Sequence, residues 1–114
     1  MTADLAAVEA RLRAILEPYR GRLEEGEIYG IPMLRRPGAK AHDWFAGVQL
    51  ADGYVKLSFL PMHGHPELLD GISPALRKRK TGASVFRFTH FDDAIATEVE
   101  ALLARGFAVY MSKG

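Results

Sequence analysis

A run of four cations at residues 77–80, followed at once by Thr81 and Gly82, holds the residues best suited to bind a ligand. It supplies positive charge, a hydroxyl group and turn backbone N–H groups, all of which bind phosphate or carboxylate oxygens. The run lacks the G-x-x-x-x-G-K-S/T spacing of a nucleotide-binding P-loop. The alternative is a solvated helix face and turn, because runs of charge commonly do no more than keep a surface soluble.

Two predicted strands flank this run and bring further polar side chains. Residues 54–60 and 84–89 alternate apolar with polar side chains, the pattern of a half-buried strand. If the strands are neighbours, Lys56 and Arg87 lie close together, and like charges at that distance repel unless an anion lies between them. The alternative is that both head groups extend into water.

We predict that the strands and the basic run form a surface that binds a small anionic ligand or an acidic protein surface. Its predicted members are Tyr54, Lys56, Ser58, Arg79, Lys80, Thr81, Gly82, Arg87 and Thr89.

A histidine pair, His63 and His65, follows the first of these strands. Neutral imidazole binds zinc, copper, nickel and iron, and Glu67 could add a carboxylate. Spacing fixes no third ligand, since His42 and His90 could join only through the fold. A solvent-facing loop is the alternative. We therefore predict no cofactor and keep iron or another divalent metal at His63 and His65 as an open possibility.

Catalysis has the weakest support in the sequence. No serine lies in a G-x-S-x-G elbow, and the adjacent acids Asp92 and Asp93 are explained by helix capping. Single-stranded nucleic acid is a further alternative, since four aromatic residues on an open sheet could stack bases beside the cations: Tyr29, Trp44, Phe45 and Tyr54. Aromatic residues on strands are more commonly packed in a core. The net charge of only +1 also weakens the case for nucleic acid.

The composition indicates one domain in a reducing compartment. A length of 114 residues is common for one domain, and we predict a single domain over residues 1–114. The absence of cysteine excludes disulfides and thiolate zinc sites, so we expect a cytoplasmic protein. Neither a secretory leader nor a membrane-spanning segment is recognisable. Residues 35–90 hold nine Lys or Arg against four acids, so the centre of the chain is basic.

A first amphipathic helix is predicted from the apolar spacing over residues 5–16. Thr2 is its predicted cap, and it should end near Glu17 because Pro18 follows. The polar residues 19–26 predict a turn.

Two segments then predict the start of a sheet. Residues 27–34 are apolar but interrupted by Gly30 and Pro32, which predicts an edge strand or a bulged one, because proline cannot donate to a ladder. Residues 43–50 predict a strand that turns at Asp52-Gly53 into residues 54–60. One face of that strand is predicted to carry Trp44, Ala46, Val48 and Leu50.

A last helix is predicted to begin after the cap Asp92 and to end at Gly106. Residues 107–111 are apolar again and could form an extra strand, a packed tail or a dimer contact. The sequence leaves these alternatives and the oligomeric state open.

These elements predict the α+β class. The expected architecture is a two-layer sandwich, in which an antiparallel sheet of four to five strands is covered on one face by the N- and C-terminal helices. The opposite face should be open and polar. The predicted core residues of the sheet are Val55, Leu57, Phe59, Phe86 and Phe88.

Four short features occur together between residues 26 and 106: Tyr-Gly-Ile-Pro at 29–32, the Leu-Pro exit at 60–61, Lys-Thr-Gly at 80–82 before a Phe-x-Phe strand, and the closing amphipathic helix. Together they resemble the YdhG-like domains, an uncharacterised family also called domain of unknown function 1801. The resemblance implies a frataxin-like α+β sandwich, and it implies that some relatives are intracellular iron chaperones. The resemblance also implies that iron would bind along a ridge of carboxylates. In this sequence, arginines lie between the corresponding acids.

The leading hypothesis is therefore a non-enzymatic intracellular binding or chaperone-like domain that holds an anionic ligand or an acidic partner on its open sheet face. Handling of iron or another divalent metal is the second hypothesis. Binding of single-stranded nucleic acid is the third.

Overall fold

The computed structural model describes residues 4–28, 31–37 and 44–112. The strands are β1 (Glu24–Ile28), β2 (Ile31–Arg35), β3 (Trp44–Ala51), β4 (Tyr54–Phe59) and β5 (Val85–Phe88). The helices are α1 (Leu5–Arg20), α2 (Pro61–Gly64), α3 (Pro74–Arg77) and α4 (Asp93–Ser112), with a 3₁₀ helix at Pro66–Leu69. No helix within these ranges is both long and apolar enough to cross a membrane.

The five strands form one antiparallel sheet in the order β1-β2-β3-β4-β5, so each strand pairs with its neighbour in the sequence. The long helices α1 and α4 cover the same face, where their buried residues form one core cluster with the sheet. The predicted α+β sandwich is confirmed. The predicted core residues are all 1 % exposed or less: Val55, Leu57, Phe59, Phe86 and Phe88.

Aspartate side chains cap both long helices. Asp4 Oδ1 accepts a hydrogen bond from the backbone N–H of Ala7 (3.2 Å), whereas the predicted cap, Thr2, lies outside the described residues. Asp92 Oδ1 accepts one from the backbone N–H of Ile95 (2.8 Å), which confirms the predicted cap of α4. Each contact satisfies an N–H group that the helix end would otherwise leave without a partner.

The first helix does not end near Glu17 as predicted but continues through Pro18 to its last residue, Arg20. The Tyr19 ring packs against the rings of Phe45 and Phe107, with centroids 5.2 and 4.8 Å apart. This packing stabilises the last turn and outweighs the hydrogen bond that proline cannot donate.

The segment after α1 is a hairpin rather than a turn and one strand. Residues 19–26, predicted as a turn, contain the end of α1 and the start of β1. Of residues 27–34, predicted as one interrupted strand, 27–28 end β1 and 31–34 lie in β2, and Glu27 pairs with Pro32. Tyr29 and Gly30 lie outside the described residues. The acidic β1 has no apolar alternation to mark it in the sequence, because charged side chains are typical of edge strands.

A β-bulge at Phe45 changes the predicted facing of Trp44. Leu34 pairs with Ala46 and Arg35 pairs with Trp44, so Phe45 is an extra residue on β3. Phe45 and Ala46 are completely buried in the core cluster. Trp44 is buried outside that cluster, because the bulge turns it to the face away from the helices.

The last helix passes through Gly106, its predicted end, and continues to Ser112. Gly106 is buried where α4 crosses Phe59, and a Cβ atom at that position would overlap the Phe59 ring. Residues 107–111 are therefore helical, not a strand. Phe107 and Tyr110 complete the core, where each ring packs against Phe45.

We expect Gly106→Ala to lower the free energy of unfolding by about 1–3 kcal/mol, because the added methyl group overpacks a filled core. Gly21→Ala is the matched control: Gly21 has a φ of −74° and no atom within 4 Å of an added Cβ. Urea unfolding of the two variants measures the difference, and equal midpoints would contradict this role of Gly106.

The segment that carries the basic run is attached to α4 by Glu98. Glu98 Oε2 accepts a hydrogen bond from the backbone N–H of Ser73 (2.8 Å), and Ser73 Oγ accepts one from the N–H of Leu76 (3.2 Å), which caps α3. The hydrogen bonds from the side chain and backbone of Ser73 lower the pKa of Glu98. The ionised carboxylate therefore holds the entry to the basic run in place.

This contact makes stability depend on pH. Since the pKa of Glu98 is lower in the folded than in the unfolded protein, its contribution is present above the unfolded pKa and is lost as pH falls through the folded value. Glu98→Gln should therefore reduce the loss of stability on acidification, measured as the urea midpoint from neutral to acidic pH. Glu27→Gln, an exposed site on β1, should leave that loss unchanged. Identical acid profiles for wild type and Glu98→Gln would contradict the assignment.

Candidate anion-binding face of the sheet

Strands β4 and β5 bring Lys56 and Arg87 together. The two residues are directly opposite in the antiparallel register, and Ser58 is opposite Val85 one step along. Leu57, which lies between Lys56 and Ser58, is buried in the core under the helices. Because side chains alternate along a strand, Lys56 and Arg87 lie on the face away from the helices.

The basic run adds a further segment to this sheet. The backbone N–H of Arg87 donates to the carbonyl oxygen of Arg79 (2.8 Å), and the N–H of Thr81 donates to the carbonyl oxygen of Val85 (2.9 Å). Residues 79–81 therefore pair with the outer edge of β5. This pairing could not be predicted from the sequence, because the run of cations does not alternate with apolar residues.

This pairing determines which cations share the open face. Lys80 forms an antiparallel bridge with Phe86, so it lies on the helix side with that core residue. Arg79 and Thr81 lie on the opposite side, and Arg79 is next to Arg87. We call Lys56, Arg87 and Arg79 the cationic row. Neighbouring members lie on adjacent strands, whose backbones are about 4.8 Å apart in the hydrogen-bonding direction.

Among the described residues, the cationic row has no acidic partner, unlike several arginines elsewhere in the protein. No carboxylate of the described part of the chain lies within ion-pairing distance of Lys56, Arg79 or Arg87. The row therefore concentrates positive charge that the fold does not neutralise. The arginines that do pair with acids include Arg11 with Asp93 (2.8 Å), Arg13 with Glu9 (2.8 Å) and Arg35 with Glu24 (2.9 Å).

Contacts from neighbouring residues hold the row in position. The guanidinium of Arg87 lies 4.5 Å from the centre of the Tyr54 ring, a cation–π contact that limits its motion. At the start of the basic run, Arg77 donates to the carbonyl oxygen of Leu69 (2.8 Å). After the run, the carbonyl oxygen of Ser84 accepts from the N–H of β4 at Phe59 (2.7 Å).

The other predicted binding residues are placed less uniformly. Ser58 lies beside the cationic row but is only 7 % exposed. Gly82 is exposed in the turn that precedes β5, and Thr89 is half-buried just after that strand. Lys80 is directed to the helix side. The structure thus brings Tyr54, Lys56, Arg79 and Arg87 together and separates Lys80 from them.

Two buried apolar side chains on the other half of this sheet face were not predicted from the sequence. Met33 and Trp44 are 4 and 6 % exposed, and neither belongs to the core cluster. A Cβ atom at Gly26 would overlap the Trp44 ring, and one at Gly47 would overlap the Met33 sulfur. These two strand glycines are the sequence feature that could have indicated the packing of Trp44 and Met33, because glycine inside a strand commonly marks the close approach of another group.

The histidine pair does not gain further ligands from the fold. His65 Nδ1 lies 3.0 Å from Glu67 Oε2, and His63 is exposed. Within the described ranges, no group of three or more His, Cys, Asp or Glu side chains could hold a metal ion. His42 lies outside those ranges. Metal binding at His63 and His65 stays a prediction.

Because Lys56 and Arg87 are opposite each other, we expect their charges to repel. Lys56→Gln should raise the free energy of unfolding by about 0.2–1 kcal/mol at low ionic strength, and added salt should shrink the gain. In an Arg87→Gln background the same change should have a smaller effect, so a double-mutant cycle from urea unfolding isolates the repulsion. A coupling of zero at low salt would contradict the close approach of the two charges.

Comparison with known proteins identifies the fold. No protein-family model and no curated protein matches the sequence. The structure is similar to the crystal structure of YdhG, a protein of the DUF1801 family from Bacillus subtilis, with a TM-score of 0.54. The similarity covers 87 % of this chain and 73 % of that chain, at 13 % sequence identity. At this identity the likeness shows a shared α+β fold.

Proposed function

We propose that this protein binds a small anionic ligand, or an acidic segment of a partner protein, at the cationic row. The observation that carries the proposal is the alignment of Lys56, Arg87 and Arg79 on one sheet face, with no carboxylate of the described residues within ion-pairing distance. An anion placed between them would replace repulsion with attraction and would receive several charge-assisted hydrogen bonds.

The geometry favours this function because the donors are arranged before any ligand arrives. Arg87 is held against Tyr54, and the backbone of Arg79 is hydrogen-bonded to β5. Binding therefore costs less side-chain and backbone ordering than it would for a mobile basic turn. Guanidinium groups also suit phosphate and carboxylate oxygens, which they can bind with two parallel hydrogen bonds.

A binding or chaperone-like role in the cytoplasm fits this site better than frataxin-like iron handling does. Hard cations such as iron require free carboxylates. Glu9 is in an ion pair with Arg13 (2.8 Å), and Glu17 lies 3.8 Å from Arg20, so two carboxylates of α1 are already neutralised. Among the described residues, Lys56, Arg79 and Arg87 have no such partner, which favours an anionic ligand over a metal.

Calorimetric titration with pyrophosphate and citrate at low ionic strength tests the proposal. We expect binding of at least one of these anions, weakened by added salt. Arg87→Gln and Arg79→Gln should each weaken it about tenfold, the effect of losing one charge-assisted hydrogen bond. An acidic peptide, titrated in the same way, distinguishes a small ligand from a partner surface.

The matched control is Lys78→Gln, which removes an exposed charge from the same run without touching the cationic row. It should change affinity far less than Arg79→Gln. Absence of binding to all three probes would refute the proposal, as would equal losses for Lys78→Gln and Arg79→Gln, since these would indicate attraction to net charge alone.

A further inference from the structure

A second surface lies on the other layer of the protein, between α1 and α4. A cleft with a volume of about 470 Å³ separates the two helices. This volume falls within the range of small-molecule sites. It is lined by Arg11, Ala14, Ile15, Pro18 and Tyr19 of α1 and by Ala96 and Glu100 of α4.

The charges of this cleft are unequal at its two ends. At one end, Arg11 donates to Asp93 (2.8 Å) and to the carbonyl oxygen of Phe91 (2.9 Å), so its charge is neutralised. At the other end, Glu100 has no cation within ion-pairing distance among the described residues. The uncompensated charge of the cleft is therefore negative.

Tyr19 lies beside this carboxylate. Its ring packs into the core against Phe107 (4.8 Å between centroids), while burial and the Glu100 carboxylate raise the pKa of its hydroxyl. No hydrogen bond joins the Tyr19 hydroxyl to Glu100 in this part of the structure. Both residues line the cleft, and each has an oxygen that can accept a hydrogen bond from an N–H donor.

We propose that the cleft between α1 and α4 binds a small primary amine with a short apolar chain. Its ammonium group donates to the Glu100 carboxylate and the Tyr19 hydroxyl oxygen. Its chain lies along the apolar wall formed by Ala14, Ile15 and Pro18. At the far end of the cleft, Asp93 is already paired with Arg11, so it offers no free carboxylate to a second ammonium group.

This proposal is independent of the cationic row, because the cleft lies on the helix layer and selects the opposite charge. The lining residues select against other ligands of the same size. A butyrate ion would place its carboxylate against Glu100 and be repelled, and neutral butanol would lose the charge-assisted hydrogen bond.

The test is a titration of the full chain with butylammonium, butyrate and butanol, followed by NMR. We expect saturable shifts of α1 and α4 amide signals with butylammonium only. Glu100→Gln should weaken binding about tenfold. Ala14→Leu, at an exposed helix position, should abolish binding by filling the cleft while the melting temperature stays unchanged. Glu17→Gln, an exposed carboxylate of α1 outside the cleft lining, is the matched control and should have no effect.

Tyr19 supplies an independent readout. Tyr19→Phe removes the hydroxyl oxygen that accepts from the ammonium group, so it should weaken butylammonium binding about fivefold at neutral pH, where the ligand is fully protonated. Absence of saturable binding would overturn the proposal, as would equal affinity for butyrate or an affinity unchanged by Glu100→Gln.

Discussion

Two backbone hydrogen bonds at the outer edge of β5 decide where the central cations lie. They join Arg87 to Arg79 and Thr81 to Val85, with nitrogen-to-oxygen distances of 2.8 and 2.9 Å. Antiparallel pairing fixes the side on which each residue lies. Arg79 thereby joins the open face, while the next residue in the chain is directed to the helices. The same pairing covers an edge that would otherwise expose unpaired N–H and carbonyl groups.

The bulge at Phe45 is the second constraint on this face. It keeps Phe45 in the core, where its ring contacts both long helices, and it turns Trp44 to the opposite side. There Trp44 lies against Arg35, with 4.9 Å between the guanidinium carbon and the ring centre. The open face consequently carries the buried side chains of Met33 and Trp44 at β2 and β3 and the cationic row at β4, β5 and residues 79–81. Between them, Gln49 of β3 lies opposite Lys56.

The parts of this structure that follow from local pattern could be predicted, and those that depend on distant contacts could not. Period-two alternation was enough to place Lys56 on the open face and to predict the core of β4 and β5. Gly106 was predicted as a helix end because nothing near it in the sequence indicates its contact with Phe59. The facing of Trp44 depends on one extra residue in β3, which shifts every side chain beyond it. The pairing of residues 79–81 with the edge of β5 has no side-chain pattern that could predict it, because it is formed by backbone hydrogen bonds.

The central claim is that the cationic row is the anion-binding surface of this protein. Mapping of amide chemical shifts during a pyrophosphate titration tests it most directly, since the readout is residue by residue. The account predicts the largest shifts at Lys56, Arg79 and Arg87, with little change along α1 and α4. Shifts spread evenly over exposed cations such as Lys78, or no saturable shifts at all, would contradict it.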